Sequence, residues 1–354
     1  MGIVSELLKQ DTVKSDNLRK YKVPNKQLIE IFTDIEELLA RTAYSRIVGV
    51  HAGESLTFMA KTDMLYKATP TGCETLEGAL PIRVGFLYSP IHQMLDPQNA
   101  STITITEHAV IIESEDVQFY LNSEEYIDVE QGIPVKTNDP VTIQTAPILS
   151  AIKNVSYLAP ITRSFGLPTV YTFAEGKLSM RLPNCIADFV TSEDLNFAIP
   201  TGQGKFFSTF LSTVSQVQVS RSGNWVAFKK PCATLYVVYE GKNITQMSTY
   251  KQRAEKVCTV DLSRIHATLK NLVKFQAKSK INVSAGLDGV SCSLTESRLQ
   301  TTFGIQPSKQ LITFDIYADM FLSIVNALGT HMTVYSSTNY IILENERGLV
   351  CITV

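Results

Sequence analysis

The sequence predicts an α+β fold built from a repeated unit, one amphipathic helix followed by three or four short strands. Six helical patterns start near positions 26, 86, 147, 205, 262 and 319, a spacing of roughly 55 to 60 residues, and a fixed period of this size marks a repeated supersecondary unit. The order inside each period is constant, with a 3.6-residue apolar stripe first and runs of alternating apolar and polar residues after it. The composition fits a folded chain, with 44% hydrophobic and 19% charged among 354 residues, enough to bury a large core spread over two or three domains.

Taken in order, residues 1–20 are polar and charged and read as a mobile lead-in. In the first helical pattern, Lys26 to Arg41, the residues Leu28, Ile31, Phe32, Ile35, Leu38 and Leu39 share one face, and Glu30, Thr33, Asp34 and Glu37 lie opposite. Strand patterns follow at Arg46–His51, Ser55–Ala60, Met64–Ala68 and Pro81–Val84. The second helical pattern is Phe86–Leu95, with Pro90 near its start where a proline is tolerated. Strands at Ser101–Thr106, Ala109–Glu113, Val117–Leu121 and Glu125–Val129 come next, and Gln131–Pro140, rich in Gly and Pro, marks a domain boundary.

The third helix begins near Ala146 with the stripe Ile148, Ile152 and Val155, and strands at Thr169–Phe173, Leu178–Leu182 and Ile186–Thr191 follow it. The fourth, Lys205–Ser215, sets Phe207, Phe210, Leu211 and Val214 against an uncharged face of Ser and Thr. Strands at Val217–Ser220, Trp225–Lys229 and Leu235–Tyr239 lead to a linker, 241–256. The fifth helix, Asp261–Phe275, precedes strands at Ile281–Ser284, Val290–Leu294, Leu299–Phe303 and Leu311–Ile316. The sixth, Asp319–Leu328, precedes Met332–Tyr335, Tyr340–Leu343 and Leu349–Val354.

A helix with one apolar stripe must bury it, and antiparallel strands with one apolar face offer the matching surface. Two units therefore make a domain and six make three, which we place at 1–139, 140–255 and 256–354. Unpaired outer sheet edges invite association. A ring of sheet with helices inside would leave none.

Catalytic and metal-binding classes find no support. The six cysteines lie far apart with no C-x-x-C pair and read as reduced strand or core thiols. The five histidines show no metal-ligand spacing, and Gly202-Gln203-Gly204-Lys205 lacks both the spacer and the hydroxyl residue of a phosphate loop, Phe206 standing in that place. Neither cofactor nor metal is expected. Met1–Gln10 has no signal-peptide pattern and no apolar run spans a bilayer, so a cytoplasmic, membrane-free protein is expected.

Several stretches, in the right order, carry a family resemblance. Lys61-Thr62-Asp63-Met64-Leu65-Tyr66-Lys67 stands where bacterial clamps have a T-D-L-E type strand, and Tyr250-Lys251-Gln252-Arg253 is similar to a Y-R-R linker before a third domain. Tyr317 to Leu328 resembles the Y-L-L-D-x-L-x-A-L segment of the family's last helix, and Val350-Cys351-Ile352-Thr353-Val354 its V-V-M-P-M ending. Over residues 20–354 the chain thus resembles the bacterial-type DNA polymerase sliding clamp, the β-clamp family, in a divergent form consistent with a phage gene. It departs from the family at Leu182-Pro183-Asn184-Cys185-Ile186, which keeps none of the polar residues of a T-D-G-H-R-L segment, and at Thr353 in place of the terminal proline.

The resemblance implies the DNA-clamp fold, with helices lining a ring and sheets outside, and a non-catalytic processivity factor that encircles duplex DNA. It implies a head-to-tail homodimer pairing domain 1 with domain 3, and a DNA polymerase and a clamp loader as partners, in a bacterium or an infected host cell. A net charge of −2 would not suit an ordinary DNA binder; a topological hold needs only loose contacts. Charge is uneven, about −9, +5 and +2 over the three proposed domains.

The DNA-facing candidates are Arg264, Lys270, Asn271 and Lys274 on the polar side of the fifth helix, Lys153 on the third and Arg41 after the first. Without the resemblance such a stripe is an ordinary solvated face, and Glu30, Asp34 and Glu37 would turn acid toward the DNA. A partner-peptide pocket is expected at Leu182, Tyr250, Thr338, Tyr340, Ile352 and Val354. Alternatives are a clamp-fold accessory factor for replication or transcription that does not encircle DNA, and a β-rich structural or assembly protein.

Overall fold

The computed structural model describes residues 17–40, 46–78, 80–115, 117–124, 126, 139–158, 170–182, 185–191, 195–238, 248–276, 278–296 and 299–353. In chain order the elements begin with β1 (Leu18–Pro24), α1 (Asn25–Leu39), β2 (Ile47–Ala52), β3 (Leu56–Lys61), β4 (Met64–Ala68), β5 (Glu74–Glu77) and β6 (Ile82–Leu87). A 3₁₀ turn (Ile91–Met94), β7 (Ala100–Thr106), β8 (Ala109–Ser114), β9 (Val117–Glu124) and β10 (Val141–Gln144) follow. Next come α2 (Thr145–Ser156), β11 (Val170–Ala174), β12 (Lys177–Leu182), β13 (Cys185–Val190), β14 (Phe197–Pro200), α3 (Gly204–Ser212), β15 (Gln216–Ser222), β16 (Trp225–Lys230) and β17 (Ala233–Val238). The remainder is α4 (Ser248–Gln252), β18 (Glu255–Asp261), α5 (Ser263–Gln276), β19 (Lys280–Ala285), β20 (Val290–Glu296), β21 (Leu299–Gly304), β22 (Ile312–Tyr317), α6 (Ala318–Leu328), β23 (His331–Ser336), β24 (Tyr340–Asn345) and β25 (Gly348–Thr353).

The chain divides into two compact units, one of residues 1–141 and 218–237, the other of 142–217 and 238–354. In the first the strands run in the order β15-β16-β17-β4-β3-β2-β6-β9-β8-β7-β1-β5. β17 lies antiparallel on β4, with Val237 opposite Met64 and Ala233 opposite Ala68, so a strand from far along the chain completes the edge of the first one's sheet. Helix α1 packs on β1, β3 and β7. The apolar stripe read from the sequence is what it buries: Leu28, Ile31, Phe32, Ile35 and Leu38 are each fully enclosed, with the Phe32 ring edge-on to Phe58 at 5.4 Å.

One polar residue of α1 is buried with that stripe. Asp34 is 3% exposed; its Oδ2 accepts from Lys230 Nζ at 2.8 Å and from the Tyr66 hydroxyl at 3.0 Å, while Glu30 Oε1 lies 3.5 Å from the same ammonium. Burial pushes the Asp34 carboxyl up and Lys230 pulls it back; burial beside that carboxylate drives the Tyr66 hydroxyl well up too. The expectation that Asp34 shares a solvated acidic face with Glu30 and Glu37 is thereby corrected. Its partner Lys230 sits on β16, where no helical periodicity could show it.

In the second unit β13 pairs with β25, Cys185 opposite Ile352 and Phe189 opposite Gly348, inside the order β14-β11-β12-β13-β25-β24-β23-β18. A separate sheet runs β21-β20-β19-β22. Gly348 permits the β13–β25 junction, since a methyl there would strike the Asp188 carbonyl and Phe189. The helices form a series, α2 against α3 and α6, and α6 against α5. Phe173, Phe197 and Phe207 knit β11, β14 and α3 together, the first two stacked at 4.3 Å and Phe207 edge-on to Phe197 at 5.6 Å.

The expected helix at Phe86–Leu95 is replaced. Phe86 and Leu87 extend β6, paired with Val48 and Ile47 of β2, and Ser89 stands before Pro90, a position that disfavours the α conformation. A single 3₁₀ turn remains there. Strands β1, β5, β10, β14 and β18 were not expected; β1 starts inside the supposed lead-in and β18 at the end of the supposed linker. The expected strand at Glu125–Val129 falls outside the described residues apart from Tyr126.

Replacing Lys230 by methionine leaves the Asp34 carboxylate enclosed without its cation. The expected cost is about 3 to 5 kcal/mol. It is to be read by urea unfolding of the first unit, where the sole tryptophan, Trp225, lies on the same strand as Lys230. Adding Asp34→Asn to Lys230→Met should return most of that loss.

Candidate nucleic-acid interface and peptide groove

Helix α5 is held by its apolar side, Ile265 and Leu269 being buried, while Leu272 and Val273 are half-buried. At its start Asp261 Oδ1 accepts from the Ser263 amide at 2.9 Å and the Ser263 hydroxyl at 2.6 Å, and these bonds hold the Asp261 carboxyl below the usual range. His266 Nε2 meets Asn326 Oδ1 at 2.9 Å and ties α5 to α6. Arg264, Lys270, Asn271 and Lys274 are all exposed. At 3.6 residues per turn they fall within about a third of the helix circumference.

Lys153 is exposed in the last turn of α2, in the same unit and the same helix series. Arg41 lies outside the described residues. Two cations the sequence reading passed over continue the basic stretch beyond α5, Lys278 and Lys280, both exposed, with Lys280 Nζ 5.9 Å from the centre of the Tyr317 ring. They follow the helix rather than lie on it, so a search for a helical stripe misses them.

The expected pocket residues sort by strand alternation. Tyr250 and Tyr340 come together: the Tyr340 hydroxyl donates to the Tyr250 carbonyl at 2.8 Å, and the rings meet edge-on at 5.3 Å. Beneath them lie Ile342, Leu349 and Cys351, with Ile186, Ala254 and Tyr335 packed around. Thr338 is exposed in the β23–β24 turn. Ile352 points to the opposite face, opposite Ile341 and Cys185 in the ladders and buried with them. The side chain of Leu182 and all of Val354 lie outside the described residues.

The sequence reading missed Cys351, Ile342, Leu349 and Ile186 as members of this cluster, because the face each strand presents depends on the register of Tyr340 against Thr353. It also missed the polar wall. Lys251 Nζ donates to Glu344 Oε1 at 2.6 Å and lies 5.2 Å over the Tyr335 ring; the bond to Glu344 raises the lysine. Asp188, opposite Leu349 in the β13–β25 ladder, is buried and accepts from the Ser179 hydroxyl at 2.7 Å, and burial pushes its carboxyl up. Burial likewise moves the Cys351 thiol up to about 11, so it remains an unreactive thiol. Together these residues form an aromatic and aliphatic cluster with an ion pair at its margin, Tyr250, Tyr335 and Tyr340 lying partly buried over a closed apolar core.

No protein-family model and no curated protein matches the sequence. Solved structures do match the fold. The DNA polymerase III subunit beta from Pseudomonas aeruginosa superposes with a TM-score of 0.74 at 10% identity, over 94% of this chain and 99% of that one. The C. crescentus beta sliding clamp gives 0.70 at 12% identity over 95% and 98%, and the DNA polymerase III beta subunit from Thermotoga maritima 0.71 at 11% over 95% and 98%. The fold is that of the bacterial sliding clamps. Such agreement over nearly both full lengths bears out the expected α+β clamp architecture.

Removing the Tyr340 hydroxyl tests whether the packing of Tyr250 on the aromatic cluster depends on its bond to that hydroxyl. Tyr340→Phe should free the Tyr250 carbonyl at a cost of about 1 kcal/mol, so amides of 248–252 should exchange about fivefold faster by mass spectrometry.

Proposed function

We propose that this protein is a DNA sliding clamp, a non-catalytic ring that encloses duplex DNA and tethers a replicative polymerase. The observation that carries the reading is the congruence with sliding clamps along almost the whole chain. The exposed basic face of α5, with Lys153, supports the choice of ligand, because non-specific cationic contacts suit a protein that must slide. The hold is then topological, and weak contacts guide the duplex without arresting it. In this reading the groove around Tyr250, Tyr340 and Cys351 receives an apolar peptide of the polymerase and, in turn, of a clamp loader, in the cytoplasm of a bacterium or an infected host.

The three-domain division at 1–139, 140–255 and 256–354 is supported by a pairing rule that occurs twice. The last strand of one proposed domain lies on the fourth strand of the domain before it: β17 on β4, and β25 on β13. Applied a third time, the rule leaves β9 of the first domain for β21 of the third. β21 is terminal in its sheet, and β9 meets β6 only at Ser123 and Glu124. A second copy supplies the partner, giving the head-to-tail homodimer. Counting from the hairpin turns as at the β13–β25 junction aligns Val117 with Phe303, Gln118 with Thr302 and Leu121 with Leu299. The acidic first segment meeting the basic third favours this contact over first against first.

Two outcomes are expected. With Gln118→Cys and Thr302→Cys together, oxidation should give a covalent dimer on a non-reducing gel, whereas Gln118→Cys with Gln300→Cys should not; a strict monomer by sedimentation would instead favour the accessory-factor reading. On closed circular duplex the protein should stay bound through gel filtration and be lost once the circle is cut. Arg264→Glu, Lys270→Glu and Lys274→Glu together should slow association about tenfold at low salt while leaving retention on the circle nearly unchanged.

A further inference from the structure

Among the described residues every phenylalanine but one is buried or half-buried. The exception is Phe275, which at 86% is also the most exposed large apolar side chain there. It stands in the last turn of α5, where helical spacing sets it within about 40° of Asn271 and Arg264, on the polar side of the helix. Single exposed apolar residues are common on protein surfaces. This one is set among groups that share a ligand.

The surroundings are basic. From Leu262 to Leu287 the sequence carries five cations, Arg264, Lys270, Lys274, Lys278 and Lys280, and no aspartate or glutamate. All five are exposed. After the helix the chain turns back, the Ser279 amide donating to the Gln276 carbonyl at 3.2 Å and the Ala318 amide to the Ser279 carbonyl at 3.0 Å. Residues 275–280 are thereby set beside Tyr317, which stands opposite Lys280 in the β19–β22 ladder. The Tyr317 ring is 45% exposed, with Lys280 Nζ 5.9 Å from its centre. Two acids stand close by, Asp315 two residues before Tyr317 and Asp319 two residues after it. Asp315 Oδ1 accepts from Asn282 Nδ2 at 2.8 Å and Asp319 Oδ1 from the Met320 amide at 2.7 Å. Against these two carboxylates this end of the helix sets Lys270, Lys274, Lys278 and Lys280.

A polyanion alone would need only the lysines. Aromatic rings beside them favour a polyanion with open, flat apolar faces, which is a nucleic acid strand without its complement. In a duplex each base face is covered by its neighbours, whereas an unpaired base can stack on an aromatic side chain while its phosphates meet cations. We propose that the C-terminal end of α5 binds single-stranded nucleic acid, with Phe275 stacked on a base, Tyr317 available to a second, and Lys274, Lys278 and Lys280 on the phosphates. The inference rests on the reading of α5 as DNA-facing and extends it. The duplex passes the basic face, and the unpaired continuation of one strand meets the helix end. A clamp equipped in this way would favour the boundary between paired and unpaired DNA.

The full-length protein is titrated against a fluorescent oligothymidylate of about a dozen nucleotides, a duplex of the same length and a base-free strand of the same length, with anisotropy as the readout. Phe275→Ala should weaken the oligothymidylate about tenfold and leave the duplex and the base-free strand within about twofold. Phe275→Trp should keep the affinity, and its added indole fluorescence should be quenched by the oligothymidylate. Equal loss for all three ligands, no loss for any, or no binding of oligothymidylate by the unaltered protein would overturn the proposal. A Phe275→Ala protein that keeps its oligothymidylate affinity but loses dimerisation, or loses binding to phosphatidylglycerol vesicles, would assign the ring to a subunit contact or a membrane instead. Retention on closed circular duplex reads the clamp function separately. Retention without Phe275-dependent binding of oligothymidylate sinks this inference alone, whereas Phe275-dependent binding without retention sinks the ring and leaves it standing.

Discussion

A sheet edge is a row of backbone donors and acceptors that must pair, be covered or face water, and this chain is arranged around that demand. Its strands are passed between distant parts of the sequence so that edges meet. β17 completes the edge at β4 and β25 the edge at β13, and at the second junction Gly348 lets the backbones approach where any side chain would collide. The helices then have sheet to rest on, and the apolar stripe of α1 is buried in full while that of α5 is buried at Ile265 and Leu269 and half-buried at Leu272 and Val273.

The second constraint is a buried ion pair. Lys230 is almost fully enclosed beside Asp34, Glu30 and the Tyr66 hydroxyl. Such a group stabilises little in total, because desolvation offsets most of the attraction, but it penalises any arrangement that separates the partners. Between α1 and β16 it acts as a registration mark: a shift of the helix by one turn would bury both charges unpaired.

The sequence and the structure agree where periodicity is strong. The stripes of α1, α2, α3, α5 and α6 were legible, and so were the longer strands between them, because burial imposes the period directly. β1 was hidden by the charges on its outward face, Lys20 and Lys22, and β18 by Lys256 and Asp261 together with a bulge after Lys256 that breaks the alternation, and β5 and β14 are too short to show alternation. The burial of Asp34 could not be read because its partner lies 196 residues away. The cluster was half legible: Tyr250 and Tyr340 were found by type, whereas the choice of Cys351 over Ile352 rests on strand register, which no local pattern encodes. The basic face of α5 needed only helical spacing, and all four of its residues are exposed.

The discontinuous first unit has a consequence for how the chain is made. Its sheet includes β15, β16 and β17, so when residues 18–124 emerge during synthesis β4 still has one side unpaired and Asp34 has no cation. Neither is satisfied until residue 237 has been made. The second unit waits longer, since β13 pairs with β25 at 348–353. Folding is therefore dominated by contacts of long sequence separation, which form slowly and leave strand edges open meanwhile. A nascent chain of this protein is at its most aggregation-prone about two thirds of the way through translation.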